Sequence, residues 1–158
     1  MEKKSEIIYV EMVADLLHYG HLNYLTNIYE KLIKNTNNKL YLGIHNDTDT
    51  QIYKRKPVLN MNERIKILSF IHFVDKIIPN APISVTQEYL NLHKIDKICM
   101  PNNRTEEEIK LMYEIPYKNN MMVIFDYTTT ISTSEIINRI QNRDDLLILI
   151  LNFLFLFK

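Results

Sequence analysis

Short runs rich in β-branched residues alternate with stretches of helical periodicity along most of the chain, and this alternation limits the fold more than any other feature. "EIIYVEMV" (residues 6–13), "KLYLGIH" (39–45), "VDKIIP" (74–79), "DKICM" (96–100) and "MMVIFDY" (121–127) read as strands. Between them lie helical patterns over 20–34, 60–73, 84–93 and 132–140. Strands separated by helices imply parallel pairing through right-handed crossovers. The expectation is one α/β domain over residues 1–143, with about five mostly parallel strands and helices on both faces. Asn60 or Asn62, Ser84 or Thr86, and Ser132 stand where helix caps belong. Ser132 with Glu135 three residues on reads as a capping box. The polar stretch from residue 46 to the basic "YKRKP" (53–57) reads as a loop, and 101–120 as the least ordered segment. The apolar run at residues 146–157 is too short to span a bilayer, which takes roughly 17–25 residues. As a separate tail (144–158) it suits a buried terminal element, a dimer contact or a membrane-surface anchor.

Ligands of such sheets bind beyond the carboxyl ends of the strands, so the residues just after the first strand matter most. There the chain reads "ADLLHYGHLNYL" (14–25), with His18 and His21 around Gly20. Two histidines three apart suit a metal pair, a solvated helix start or a phosphate-binding device. A catalytic zinc needs a third protein ligand, and no second tight cluster of His45, His72, His93 or Cys99 supplies one. A phosphate site explains more of the neighbourhood. A strand, a turn and a helix start offer free amides and partial positive charge. Imidazole N–H groups can stabilise charge developing on phosphorus, and a glycine admits close backbone approach. Lys54 and Lys56 sit on a basic loop able to close over phosphates, and Arg64 offers a planar fork. His45 ends the second strand and falls near the same place.

Lys plus Arg equals Asp plus Glu at 19 each, which gives no push toward nucleic acid. The single cysteine excludes an internal disulfide and suits a reducing, cytoplasmic setting. The first ten residues carry no signal-peptide core.

"HYGH" (18–21) resembles the H-x-G-H signature of the nucleotidyltransferase superfamily. More narrowly, "YLGIHND", "YKRKPVLNMNERIKIL", "VDKIIPNAPISVTQEYLNLHKID" and "ISTSEIINRI" follow in the order found in cytidylyltransferases acting on choline phosphate or ethanolamine phosphate. The resemblance implies a Rossmann-like fold and transfer of CMP from CTP to a small phosphorylated acceptor, with magnesium carried mostly by phosphates and water. It implies His18, His21 and Lys54 as catalytic residues, with Lys54 and Asn102 at the acceptor. Val13, Ala14, Asp15, Gly20, Arg64, Thr128, Ile131, Ser132 and Thr133 would hold nucleotide. A homodimer is the implied assembly. Asn102 and Asn103 stand where the family carries acidic residues, and Tyr127 where it carries an arginine. A nucleotide-binding homologue without turnover, and glycerol 3-phosphate or a phosphonate as acceptor, are the alternatives.

Overall fold

A computed structural model describes residues 4–143. The apolar tail expected over 144–158 lies outside the described residues. Five parallel strands form one sheet: β1 (Ile7–Met12), β2 (Lys39–Ile44), β3 (Lys76–Pro79), β4 (Lys97–Pro101) and β5 (Met122–Phe125), in the order β3-β2-β1-β4-β5. The single α/β domain with a five-stranded sheet is the expected one. Among the described residues the sheet is joined by seven α-helices and a π-helical turn (Tyr29–Ile33) that follows the first of them: α1 (Tyr19–Ile28), α2 (Asp47–Tyr53), α3 (Met61–Leu68), α4 (Gln87–His93), α5 (Glu106–Met112), α6 (Glu114–Lys118) and α7 (Thr133–Gln141).

The faces of the sheet follow from the two-residue repeat of a strand. Ile8 and Val10 of β1 join Leu40, Leu42 and Ile44 of β2 in a core shared with Leu25 and Ile28 of α1 and Leu68 of α3. Tyr9, between them, points to the opposite core, with Ile98 and Met100 of β4, Leu90 of α4 and Met112 of α5. Helices therefore cover both faces. β1 is central and paired on both sides, which suits its nearly continuous apolar run.

Gly43 in β2 is dictated by that second core. A Cβ there would lie 2.0 Å from the Tyr9 hydroxyl and 2.9 Å from the Ala81 Cβ. Tyr9 cannot retreat freely, because it is fully buried and its hydroxyl pairs with that of Tyr89 at 3.0 Å. Overpacking a close-fitted core costs about 1–3 kcal/mol. Gly43→Ala is expected to lose that much stability, read as a lower urea midpoint with an unchanged slope.

Four sequence expectations change. Residues 47–53 form α2 rather than a loop, because Asn46 caps it by accepting the Asp49 amide at 2.7 Å. Residues 101–120 are largely ordered as α5 and α6. Thr105 and Glu108 close a reciprocal cap on α5, and Tyr113 is fully buried after it. The helix expected over 60–73 ends at Leu68, where the Ser69 hydroxyl donates to the Lys66 carbonyl. Asn60, Thr86 and Ser132 prove to be the caps. At α7 the reciprocal half is absent, since Glu135 pairs with Arg139 at 3.1 Å instead. Among the described residues no helix is long and apolar enough to cross a membrane.

Candidate active site

From β1 the chain runs outward to β2 and β3, then returns to the other side of β1 as β4. The carboxyl ends of β1 and β4 thus diverge at a topological switch point, where α/β sheets open a crevice. A cleft of about 400 Å³ lies there, walled by the β1 end, the start of α1, the α2–α3 loop and residues 127–134. Ala14 and Leu16, on the way to the histidines, adopt left-handed backbone conformations with φ of 55° and 46°. Such strain in non-glycine residues concentrates at functional sites.

The histidine pair is held by the start of α1. His18 caps the helix, and its Nδ1 accepts the Gly20 amide at 3.1 Å. His21 Nδ1 accepts the His18 amide at 3.3 Å. With both Nδ1 lone pairs engaged, each neutral ring carries its proton on Nε2. The rings lie close with their planes tilted by 34° and their centres 3.9 Å apart. His18 Nε2 is buried with no hydrogen-bond partner among the described residues. Burial lowers the His18 pKa. Burial, then the His18 and Lys54 charges, brings His21 down to about 3 against the pull of Asp15. Both imidazoles are therefore neutral near pH 7 and act as N–H donors. Gly20 serves this arrangement more than a backbone approach to ligand. A Cβ there would sit 3.0 Å from the His18 ring and 3.2 Å from Ile131.

Lys54 caps the end of α2 and lines the same cleft. Burial first, then the charges of Arg55 and Arg104, draw its ammonium below the usual range. Asp15 is almost fully buried and holds the loop beyond Lys54. Its carboxylate accepts the Val58 amide at 3.0 Å and the Leu59 amide at 3.0 Å, and its carbonyl accepts the Thr133 hydroxyl at 2.9 Å. One residue thereby fastens the histidine turn to the lysine loop and to the start of α7. Thr128 accepts the Asn23 side-chain amide at 2.8 Å.

Val13, Ala14, Asp15, His18, Gly20, His21, Lys54, Thr128, Ile131, Ser132 and Thr133 all line the cleft, as does His45. Three expected site residues, Arg64, Asn102 and Lys56, do not. Arg64 is fully buried beneath the cleft, not presented to phosphate and not an exposed helix charge. Its guanidinium donates to the carbonyls of Val13, His45 (3.0 Å) and Leu59 (3.1 Å) and pairs with Asp47 at 2.6 Å, which leaves no face for a ligand. Asn102 is exposed outside the cleft lining; its amide donates to Asp126 at 3.0 Å and its carbonyl oxygen accepts the Tyr127 amide at 3.0 Å. Lys56 faces a separate depression with Asp47 and Glu63.

Sequence reasoning missed Glu11, Tyr24, Tyr53, Arg55 and Arg104, which also line the cleft. Arg55 had a signal, being part of the basic loop. It reaches the Ser134 hydroxyl at 3.4 Å and stands 3.9 Å from the Asp15 carboxylate. Arg104 had none, since it sits in the stretch that reads as least ordered. Among the described residues no group of three His, Cys, Asp or Glu is placed to hold a metal. The one carboxylate beside the histidines, that of Asp15, is spent on amides.

Residues 13–139 match the family described as cytidylyltransferase-like. The chain belongs to that family. This cytidylyltransferase-like chain is 31% identical to the ethanolamine-phosphate cytidylyltransferase of Mus musculus over 87% of its own length and 34% of the relative's. It is 34% identical to choline-phosphate cytidylyltransferase 2 of Arabidopsis thaliana over 84% of its length and 44% of the relative's. It thus spans less than half the length of these curated relatives. A lipopolysaccharide core biosynthesis protein from Thermoplasma volcanium shares the fold, with a TM-score of 0.60 at 19% identity, over 79% of this chain and 98% of that one.

Proposed function

We propose that the cleft transfers CMP from CTP to a small phosphorylated alcohol or amino alcohol of the choline phosphate and ethanolamine phosphate kind, releasing pyrophosphate. The observation that carries this reading is the pair of neutral imidazoles locked as Nε2–H donors beside Lys54 and the α7 helix start. A phosphate oxygen of the acceptor attacks the α-phosphorus of CTP in line. The new P–O bond forms as the bond to the bridging α,β oxygen breaks, and pyrophosphate leaves with that electron pair. Charge grows on the non-bridging oxygens at the α-phosphorus, where His18 and His21 donate. Lys54 meets both phosphate groups as they converge; burial and the Arg55 and Arg104 charges lower its pKa, and an incoming anion offsets both costs. The amides that open α7, with Ser132 and Thr133 at its start, receive the nucleotide. Magnesium carried in with the triphosphate would supply charge neutralisation there.

The names of the relatives support the reaction class and leave both acceptors in play. The test is pyrophosphate release with magnesium, CTP or ATP, and choline phosphate, ethanolamine phosphate or glycerol 3-phosphate. Release that needs both CTP and one acceptor is expected, with a loss of about 10²-fold or more in Lys54→Ala. Folded protein that binds CTP yet releases nothing with any acceptor would establish a nucleotide-binding homologue instead.

A further inference from the structure

A bound triphosphate brings more negative charge to the cleft than Lys54 alone can balance. His18 and His21 are neutral and contribute none. The wall from residue 127 to 134 contains no lysine or arginine. Besides Lys54, the cations that line the cleft are Arg55 and Arg104, and Arg104 pairs with Glu108 at 3.1 Å. Arg55 differs. Its side chain is only 27% exposed, and it crosses from the α2–α3 loop to the first turn of α7. The contact with Ser134 there is a long one, at 3.4 Å. The Asp15 carboxylate stands 3.9 Å away, beyond hydrogen-bond reach, and already accepts the Val58 and Leu59 amides. Arg55 Nε is buried and has no hydrogen-bond partner among the described residues. A buried N–H left without an acceptor is costly unless a ligand supplies one. The Arg55 charge also helps draw down the pKa of Lys54 beside it. An anion lying between the two relieves that repulsion.

We propose that Arg55 binds the β- and γ-phosphates of the nucleotide, clamping them between the basic loop and the start of α7. The inference deepens the transfer reading and rests on it. The allocation follows from reach. The imidazoles serve the α-phosphorus, and Lys54 serves its junction with the acceptor. The two outer phosphates then fall to the first turn of α7, where Ser132 caps the helix and the leading amides stand open. Arg55 is the cleft cation that reaches that turn. Its planar fork takes two phosphate oxygens at once, with Nε among the donors. Pyrophosphate leaves with the electron pair of the bridging oxygen, so the same fork also meets charge that grows as the bond breaks. A nucleoside monophosphate, lacking both outer phosphates, gains nothing from Arg55.

The test is calorimetric titration of the full chain with CTP, and separately with CMP, in magnesium at one fixed ionic strength. The unaltered chain is expected to bind CTP more tightly than CMP. In Arg55→Ala the affinity for CTP should fall about 10–100-fold, the range for losing a charged hydrogen-bond donor. The affinity for CMP should stay close to that of the unaltered chain. Arg55→Gln keeps most of the side chain's packing and none of its charge, and should lose the same preference. Retained CMP binding reports that each variant is folded. An affinity for CTP unchanged in both variants, or CTP and CMP weakened alike, would overturn the proposal. An unaltered chain that binds neither nucleotide would overturn it together with the transfer reading. Pyrophosphate release is scored separately. Turnover whose KM for CTP is indifferent to Arg55→Ala removes this inference and leaves the transfer reading standing; an Arg55-dependent preference for CTP without turnover does the reverse.

Discussion

His21→Ala is expected to lower kcat by about 10²–10³-fold, the usual cost of removing one donor from a developing oxyanion. On the proposed reading the ground-state affinity for CTP should change far less, because the α7 amides and the basic loop line the cleft apart from this ring and would hold the nucleotide without it. A loss confined to KM would mean that His21 only binds substrate. The pH profile offers a second check. Burial keeps both imidazoles neutral, and a neutral ring with Nδ1 engaged already donates from Nε2. The kcat profile should therefore show no break near the ordinary imidazole pKa of about 6.5. Stability behaves differently. Because the His21 pKa is about 3 in the fold and near 6.5 when unfolded, the unfolded chain binds more protons between those values. The contribution is fully present above the unfolded pKa and is lost as pH falls through that window. His21→Ala should be correspondingly less acid-sensitive in urea melts at about pH 7.5 and pH 5.

Arg64→Ala should cost about 2–4 kcal/mol of stability, because removing a donor from buried acceptors costs about 1–3 kcal/mol each, while the part-exposed Asp47 carboxylate is left to water. The guanidinium joins the carbonyls of Val13, His45 and Leu59 to the Asp47 carboxylate, so its loss strands acceptors from three separate segments. Arg64→Lys should recover little, because an ammonium lacks the planar fork that reaches all of them. Urea unfolding of both variants measures the effect. A phosphate-binding Arg64 would give the opposite pattern, with stability intact and CTP affinity reduced.

The parallel sheet was legible because its strands are short, β-branched and stopped by proline or charge, as at Pro79 and Pro101. The histidine turn and the start of α7 were legible because both combine a strand end with a helix cap, which is a local pattern. Arg64 was misread for a physical reason: a guanidinium at a helix start looks the same in sequence whether it turns outward or inward. Only the depth of the Val13 and His45 carbonyls decides it. The place of Asn102 outside the cleft lining was not legible either, since its partner Asp126 is distant in sequence and adjacent only through β4–β5 pairing. Glu11 and Arg104 were missed because a lone acid in a strand and a lone arginine after one carry no periodicity. Their relation exists only across the open cleft.

The strand order has a consequence for biosynthesis. Both histidines and the lysine lie within the first 54 residues, but the wall they face comes from residues 127–134. Chains emerge from the N-terminus at about 5–20 residues per second. For several seconds a nascent chain can pair β1, β2 and β3 while Glu11 and the imidazoles have nothing opposite them. Those polar groups stay wet until β4 and β5 close the other side. Their desolvation then coincides with the last steps of folding, so loss of the C-terminal third should leave a chain that collapses but never sequesters its chemistry from water.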